Sequence, residues 1–240
     1  MSDAAPRSGG ADRRRARADA PPPGAEEPRE ALPDWLHPLV DSLAGITFAD
    51  LSRFGPPEDG SGRESAVLIA LAETIDGPGV LLLERAATLR THAGQVAFPG
   101  GAADPGEDPP STALREAAEE VDLDPVSVQV LATLPAVYLP PSGFVVRPVL
   151  AWWRDPHPVR AVAASEVAHV ALVPISELVD PANRFRVRHP SGVFAPGFDA
   201  GGLFVWGFTA GLLDAVLTLG GWTRDWDHTR VRDLPVRNGR

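Results

Sequence analysis

The chain has 240 residues and a formal net charge of −10, with 32 acidic residues against 22 basic ones, all of the latter Arg. That balance excludes a general nucleic-acid binder, which needs a basic face, and requires any anionic substrate to be met by cations or by locally placed Arg. There is no Cys, so disulfides, thiolate nucleophiles and Cys-held metals are excluded. No apolar run is long enough to span a bilayer and no apolar stretch follows the Arg13–Arg17 cluster, so a cytoplasmic protein is expected.

Residues 1–30 hold almost no large apolar side chain. Such a segment cannot offset its ordering entropy, and a disordered tail is expected there. Leu32, Trp35, Leu36, Leu39 and Val40 are the first apolar anchors. They predict a short helix at the start of a domain running over 31–225. Ala66 to Leu71 and Val80 to Leu83 are apolar runs of strand length. Asp76-Gly77-Pro78-Gly79 between them is turn chemistry, so the pair predicts a hairpin. Gln95 to Phe98 reads as a strand ending at Pro99-Gly100-Gly101. A helix follows over about 111–121, capped by Asp108 or Ser111, with Pro109 and Pro110 in its first turn. Strands are expected at 128–134, 144–153 and 168–173, a short helix at 175–178 and a strand at 203–206. An apolar helix over about 208–219 is either core or a dimer face. Residues after Trp222, and 226–240 in particular, read as a charged, loose tail. Strands outnumber helices without alternating regularly with them, which points to a mixed α/β (α+β) fold and away from a doubly wound sheet.

The chemistry concentrates in REAAEEVDL, residues 115–123. Glu116, Glu119 and Glu120 stand at i, i+3 and i+4 of the predicted helix, which puts the later two beside the first, with Cβ atoms roughly 5–6 Å apart. Like charges that close repel, and a divalent cation between them relieves the repulsion. A hard ion such as Mg²⁺ takes oxygen ligands: a few carboxylates, waters and substrate phosphates. Gly100-Gly101 just upstream permits close backbone approach to the same ion or phosphate. A Glu107–Arg115 pair would pin the intervening loop to the helix and hold the ligands in place. Alone, REAAEE also reads as a solvated helix face with weak surface pairs. The combined spacing of Gly101, Glu107, Arg115-Glu116 and Glu119-Glu120 is what separates it from one.

Gly101 to Leu123 resembles the Nudix box, in which a Gly, a Glu, an Arg-Glu pair and a Glu-Glu pair occur at this spacing. One position departs from it: the box usually has Gly where this chain has Asp122. A Gly there would suit a left-handed helix end, and Asp is among the few other residues that tolerate one. Upstream, LLLERAATLRTHAGQVAFPGG (81–101) resembles the signature of coenzyme A pyrophosphatases within the Nudix family. The matching positions are Leu81, Leu82, Arg85, Ala86, Arg90, Gly94 and Phe98 to Gly101, and Leu83 stands where a Thr is usual. SGFVVRPVL (142–150) and VWGFTAGLL (205–213) are similar to later parts of that subfamily.

The resemblance implies a Nudix fold, a mixed sheet sandwiched between helices. It implies hydrolysis with Mg²⁺ or Mn²⁺ of the diphosphate of coenzyme A or its thioesters, giving 3',5'-ADP and 4'-phosphopantetheine or its acyl form. The expected partner is a coenzyme A-like small molecule, with no nucleic acid and no membrane, and a homodimer is an option. Among the residues, it implies Glu116 and Glu120 as metal ligands, Glu119 as a third ligand or the base, and the Gly101 carbonyl as a further ligand. Glu107 and Arg115 are assigned to orientation. Arg85 and Arg90 would neutralise substrate phosphates or else be plain surface residues. His92 reads as structural or solvated, and Trp152, Trp153 and Trp206 as core before adenine platforms. Two alternatives share the fold. One is hydrolysis of another nucleoside diphosphate derivative such as ADP-ribose, left open by Leu83 if that position touches substrate. The other is a non-catalytic nucleotide-binding module, against which the intact acidic and Arg positions of the box stand.

Overall fold

The computed structural model describes residues 32–89, 91–189 and 192–234. The expected N-terminal tail (1–30) and Arg90 lie outside the described residues. The predicted hairpin is β1 (Arg63–Thr74) and β2 (Gly77–Arg85), antiparallel from Leu71↔Val80 to Thr74↔Gly77. Next come β3 (Val96–Ala97), β4 (Gly100–Ala102), β5 (Val128–Thr133), β6 (Val137–Leu139), β7 (Phe144–Trp153) and β8 (Val167–Pro174). These eight strands form one mixed sheet, whose main path runs β3-β2-β1-β7-β5. β7 runs parallel to β1, from Arg63↔Phe144 to Leu71↔Trp152. β4 lies antiparallel to the first half of β1, and β8 antiparallel to β2.

The helices are α1 (His37–Ser42), α2 (Phe48–Leu51), α3 (Pro109–Val121), α4 (Ile175–Leu178) and α5 (Gly207–Leu219). Strand alternation divides the core between the two sheet faces. Ala66, Leu68, Ala70 and Ala72 of β1, with Leu81, Leu83, Val149 and Ala151, meet α3 through Ala113, Ala117 and Val121. Ala on both surfaces leaves little side-chain thickness between this helix and the sheet. Ile69 and Leu71, with Val80 and Leu82, face the other way onto Leu39 of α1 and Ala210, Leu213, Val216 and Leu217 of α5. β1 is thus buried on both faces, which is why it reads as a continuous apolar run with no alternation. Each fully buried Leu contributes about 1.5–3 kcal/mol relative to exposure. The buried face of α5 is core, which decides that half of the choice posed by its sequence. Trp35 packs on Trp222 with ring centroids 6.2 Å apart, joining the segment before α1 to the turn after α5.

A second, four-stranded sheet, in the order β11-β10-β9-β12, departs from expectation. It comprises β9 (Arg184–Arg188), β10 (Phe194–Ala200), β11 (Leu203–Val205) and β12 (Val231–Asp233). Sequence reasoning found only β11 and treated the end of the chain as loose. RFRVR and FAPGFDA carry charge, Pro and Gly that mask their extended character. β12 is three residues long and runs parallel to β9, held also by Arg188 on both carboxylate oxygens of Asp233 at 2.8 and 3.1 Å. Tertiary pairing makes this a strand; its own propensity does not. Among the described residues no helix is long and apolar enough to cross a membrane.

Candidate active site

The helix that carries the carboxylates begins and ends by identifiable means. Asp108 caps it, accepting a hydrogen bond from the Ser111 amide at 2.8 Å, and Pro109 and Pro110 occupy the first turn. At the other end Asp122 takes the left-handed conformation (φ 63°) that the usual Gly would supply. Its carboxylate also accepts a hydrogen bond from Arg160 Nε at 2.9 Å, a contact no Gly makes.

The Gly100-Gly101 turn sits against this helix. A Cβ on Gly101 would lie 2.5 Å from the carboxyl carbon and Oε1 of Glu116, so only Gly lets that carboxylate rest there. A Cβ on Gly100 would lie 2.3 Å from the Ala66 carbonyl oxygen of β1. The Gly100 amide donates to Glu120 Oε2 at 3.0 Å. Two glutamates four residues apart are thereby each seated on one glycine of the turn.

Arg115 organises the rest. Its Nε donates to Glu107 Oε1 at 3.0 Å and its Nη2 to Glu107 Oε2 at 3.1 Å, the two-pronged arrangement expected of a strong Arg–carboxylate pair. Nη2 also reaches the Ala102 carbonyl at 3.1 Å, while Nη1 donates to Glu116 at 3.0 Å and Glu119 at 3.3 Å. Glu107 accepts further hydrogen bonds from Thr112 Oγ1 and the Asp104 amide. Above all the Arg115 hydrogen bond holds its carboxyl down at about 2. The orientation pair expected from the sequence is therefore present, and it ties loop, turn and helix together.

Burial sets the other carboxyls apart. It pushes the Glu120 carboxyl up to about 7, against the opposing pull of the Gly100 amide and Arg85 and with added repulsion from Glu116 and Glu166. It raises Glu116 too, opposed by Arg115. The Glu119 side chain is 62% exposed at the solvent edge. The three glutamates read as neighbours from the helical spacing are thus divided. Glu116 and Glu119 lean on Arg115, while Glu120 turns inward onto Gly100. Among the described residues no group of three or more acidic or His side chains is already gathered to hold a cation.

Arg85, at the end of β2, is brought to this cluster. Its Nη1 lies 3.8 Å from Glu120 Oε1, and its Nε is buried with no hydrogen-bond partner among the described residues. His92 adopts a left-handed backbone (φ 54°) in the loop before β3, and its Nδ1 lies 2.7 Å from Gln95 Oε1. Trp153 is core, Trp152 packs against the opposite cluster, and Trp206 precedes α5. Leu83 is fully buried beneath α3. Sequence reasoning expected a backbone group of the Gly100-Gly101 turn to face the ion or phosphate but not the Gly100 amide to seat Glu120, and it missed Arg160. The first is a backbone group with no side-chain signal, and the second is a surface Arg 38 residues from its partner.

A protein named uncharacterized Nudix hydrolase NudL from Citrobacter koseri is 41% identical over 160 residues, covering 63% of this chain and 79% of that protein. The protein of the same name in Escherichia coli K12 is 38% identical over 157 residues, with the same coverage. Among solved structures, a Nudix hydrolase from M. smegmatis, RenU, is 20% identical with a TM-score of 0.49, covering 71% of this chain and 96% of its own. The NUDIX domain family matches residues 62–193, which is more than half of the chain and includes the hairpin, the glycine turn and the carboxylate helix, and the chain therefore belongs to the Nudix family of hydrolases.

Proposed function

We propose that this hydrolase is a divalent-cation-dependent diphosphatase that cleaves coenzyme A or its thioesters into 3',5'-ADP and 4'-phosphopantetheine or its acyl form. The observation that carries the reading is the seating of Glu116 on Gly101 and Glu120 on Gly100, with Arg85 beside them. Nudix hydrolases in general use divalent metal ions. The residues present fit such an ion. Every donor is an oxygen, as Mg²⁺ or Mn²⁺ prefers, and among the described residues Glu120 Oε1 has no hydrogen bond, only the Arg85 guanidinium at 3.8 Å. Glu116, Glu120 and the Gly101 carbonyl would hold the cation, with Glu119 as a third carboxylate or as the base. The bound ion would neutralise charge on the diphosphate and lower the pKa of the attacking water.

The chain's own groups do the rest. Arg115 orients Glu116 and opposes the upward push of burial on its carboxyl. The Arg115–Glu107 pair fixes the loop from Ala102 to Asp108 against the helix. Arg85 offers a buried, unengaged Nε donor to a substrate phosphate oxygen. The choice of coenzyme A rests on the 81–101 signature that contains Arg85. Mass spectrometry of products formed from coenzyme A with Mn²⁺, with and without EDTA, tests it. Metal-dependent 3',5'-ADP and 4'-phosphopantetheine are expected. Intact coenzyme A with turnover of ADP-ribose would shift the substrate to the alternative. Tight nucleotide binding with no turnover at all would make the chain a binding module.

A further inference from the structure

We propose that Asp122 and Arg160 are positioning residues for Glu120: their ion pair locks the last turn of α3, and with it that glutamate, against the glycine turn. Neither residue would touch cation or substrate, and the role rests on the cation-dependent reading above. Glu120 is the penultimate residue of α3. The last carbonyls of a helix have no partner within it, and terminal turns open at little cost. The side chain also resists being held in place. It is nine-tenths buried, and burial first, then repulsion from Glu116, oppose its charged form. The Gly100 amide at 3.0 Å and Arg85 Nη1 at 3.8 Å act on its carboxylate and not on the backbone that carries it.

That backbone is held by the segment between β7 and β8, which straps the end of α3. The Val162 amide donates to the Glu120 carbonyl at 3.1 Å, and the Arg160 amide to the Val121 carbonyl at 3.1 Å. Arg160 Nε donates to Asp122 Oδ2 at 2.9 Å. Three consecutive residues of the helix end, Glu120, Val121 and Asp122, thus each receive one bond from the strap. Upstream, the Asp124 amide donates to His157 Nε2 at 3.0 Å and fixes where the strap begins. Val159 and Ala161 alternate with Arg160 and Val162 and pack on the core cluster beneath α3, each only partly buried. One Val and one Ala give the strap a limited apolar grip, since apolar stabilisation scales with the area removed from water. The polar bonds carry the rest.

The residue at 122 decides whether the strap is tied. Asp122 ends the helix in the left-handed conformation (φ 63°) and offers a carboxylate to Arg160 from the same position. The Gly usual in the Nudix box would end the helix equally well and leave Arg160 without this partner. Asp122 is therefore more than a tolerated replacement. The two side chains are 49% and 71% exposed, so their pair adds little to overall stability. Its effect is local, on the turn that aims Glu120 at Gly100.

The test is Mn²⁺ titration of the substrate-free full chain by isothermal calorimetry, with hydrogen–deuterium exchange and thermal unfolding in EDTA. The variants are Asp122→Gly, which keeps the left-handed helix end and removes the carboxylate, Arg160→Ala, and the two combined. Each single variant is expected to weaken Mn²⁺ binding about 10-fold, the lower end of what losing an outer support of a metal site costs. Each should also speed exchange at the Arg160 and Val162 amides while lowering Tm by about 4 °C at most. The combined variant should match either single one, because both remove the same interaction. Bulk charge acts with opposite signs: Asp122→Gly removes a negative charge and Arg160→Ala a positive one. Weaker binding in the first with tighter binding in the second therefore overturns positioning. So does unchanged exchange at the two amides, or a Tm loss large enough to make the pair a prop of the whole fold. Parent-like Mn²⁺ binding in both single variants overturns the role of the pair and leaves the cation reading standing. A parent chain that binds no Mn²⁺ overturns the cation reading itself, and this proposal with it.

Discussion

Replacing Glu120 with Gln is expected to destroy activity while making the metal-free protein more stable at alkaline pH. The Glu120 side chain is nine-tenths buried, and burial pushes its carboxyl from 4.5 up to about 7. Below pH 4.5 the group is protonated in both the folded and unfolded states, and it costs nothing. Between 4.5 and about 7 the unfolded chain releases a proton that the folded chain keeps, so stability falls as pH rises through this window. Above it the full cost is present. At about 1.4 kcal/mol per pH unit that cost is about 3 kcal/mol. A Gln at this position keeps an acceptor for the Gly100 amide and carries no charge, so it removes most of the cost. A chain of this size gains roughly 2–4 °C in melting temperature per kcal/mol, so a rise of roughly 5 °C or more is expected at pH 8 in EDTA. The gap should shrink toward zero as pH approaches 4.5. Under the proposed role of Glu120 as a metal ligand, catalytic efficiency with Mn²⁺ should fall on the order of 100-fold. Differential scanning calorimetry across this pH range, paired with kinetics, makes the measurement. A variant less stable than the parent at pH 8, or a stability gap that does not change with pH, refutes the burial argument.

The two glycines of the turn should respond differently to the same added methyl. In Gly101→Ala the methyl meets the movable end of Glu116, so stability should change little while kcat drops about 10-fold or more, the cost of a slightly misplaced reacting group. In Gly100→Ala it meets the backbone of Ala66 and Val67, so urea unfolding should reveal a loss of about 1–3 kcal/mol. Arg115→Lys keeps the charge but cannot span Glu107, Glu116, Glu119 and Ala102 at once. Steady-state kinetics should show kcat lowered about 10-fold or more with KM changed less, because a point charge does not replace a planar fork.

Six strands of the main sheet, its two covering helices and the box residues were legible because each leaves a local mark, whereas β4 and β6 were not read as strands. Burial on both faces makes β1 and β2 continuous apolar runs, and the 3.6-residue period of α3 sets Ala113, Ala117 and Val121 apart from the glutamates. The cap at Asp108 and the left-handed Asp122 were equally local, each a single residue whose backbone preference is written in its own side chain. The Glu107–Arg115 pair followed from a spacing of eight residues across one loop. The second sheet was not legible, because Pro, Gly and charge mask β9 and β10, and β12 is held by β9, 45 residues away, and not by its own propensity. What the sequence alone determined was the set of chemical groups: clustered carboxylates, an Arg among them, a glycine turn and no Cys. The tertiary structure alone decided how those groups differ. Helical spacing makes Glu116, Glu119 and Glu120 equivalent neighbours, but packing buries Glu120 against Gly100 and leaves Glu119 in water. Desolvation depends on what surrounds a side chain, and no residue carries that in its own identity.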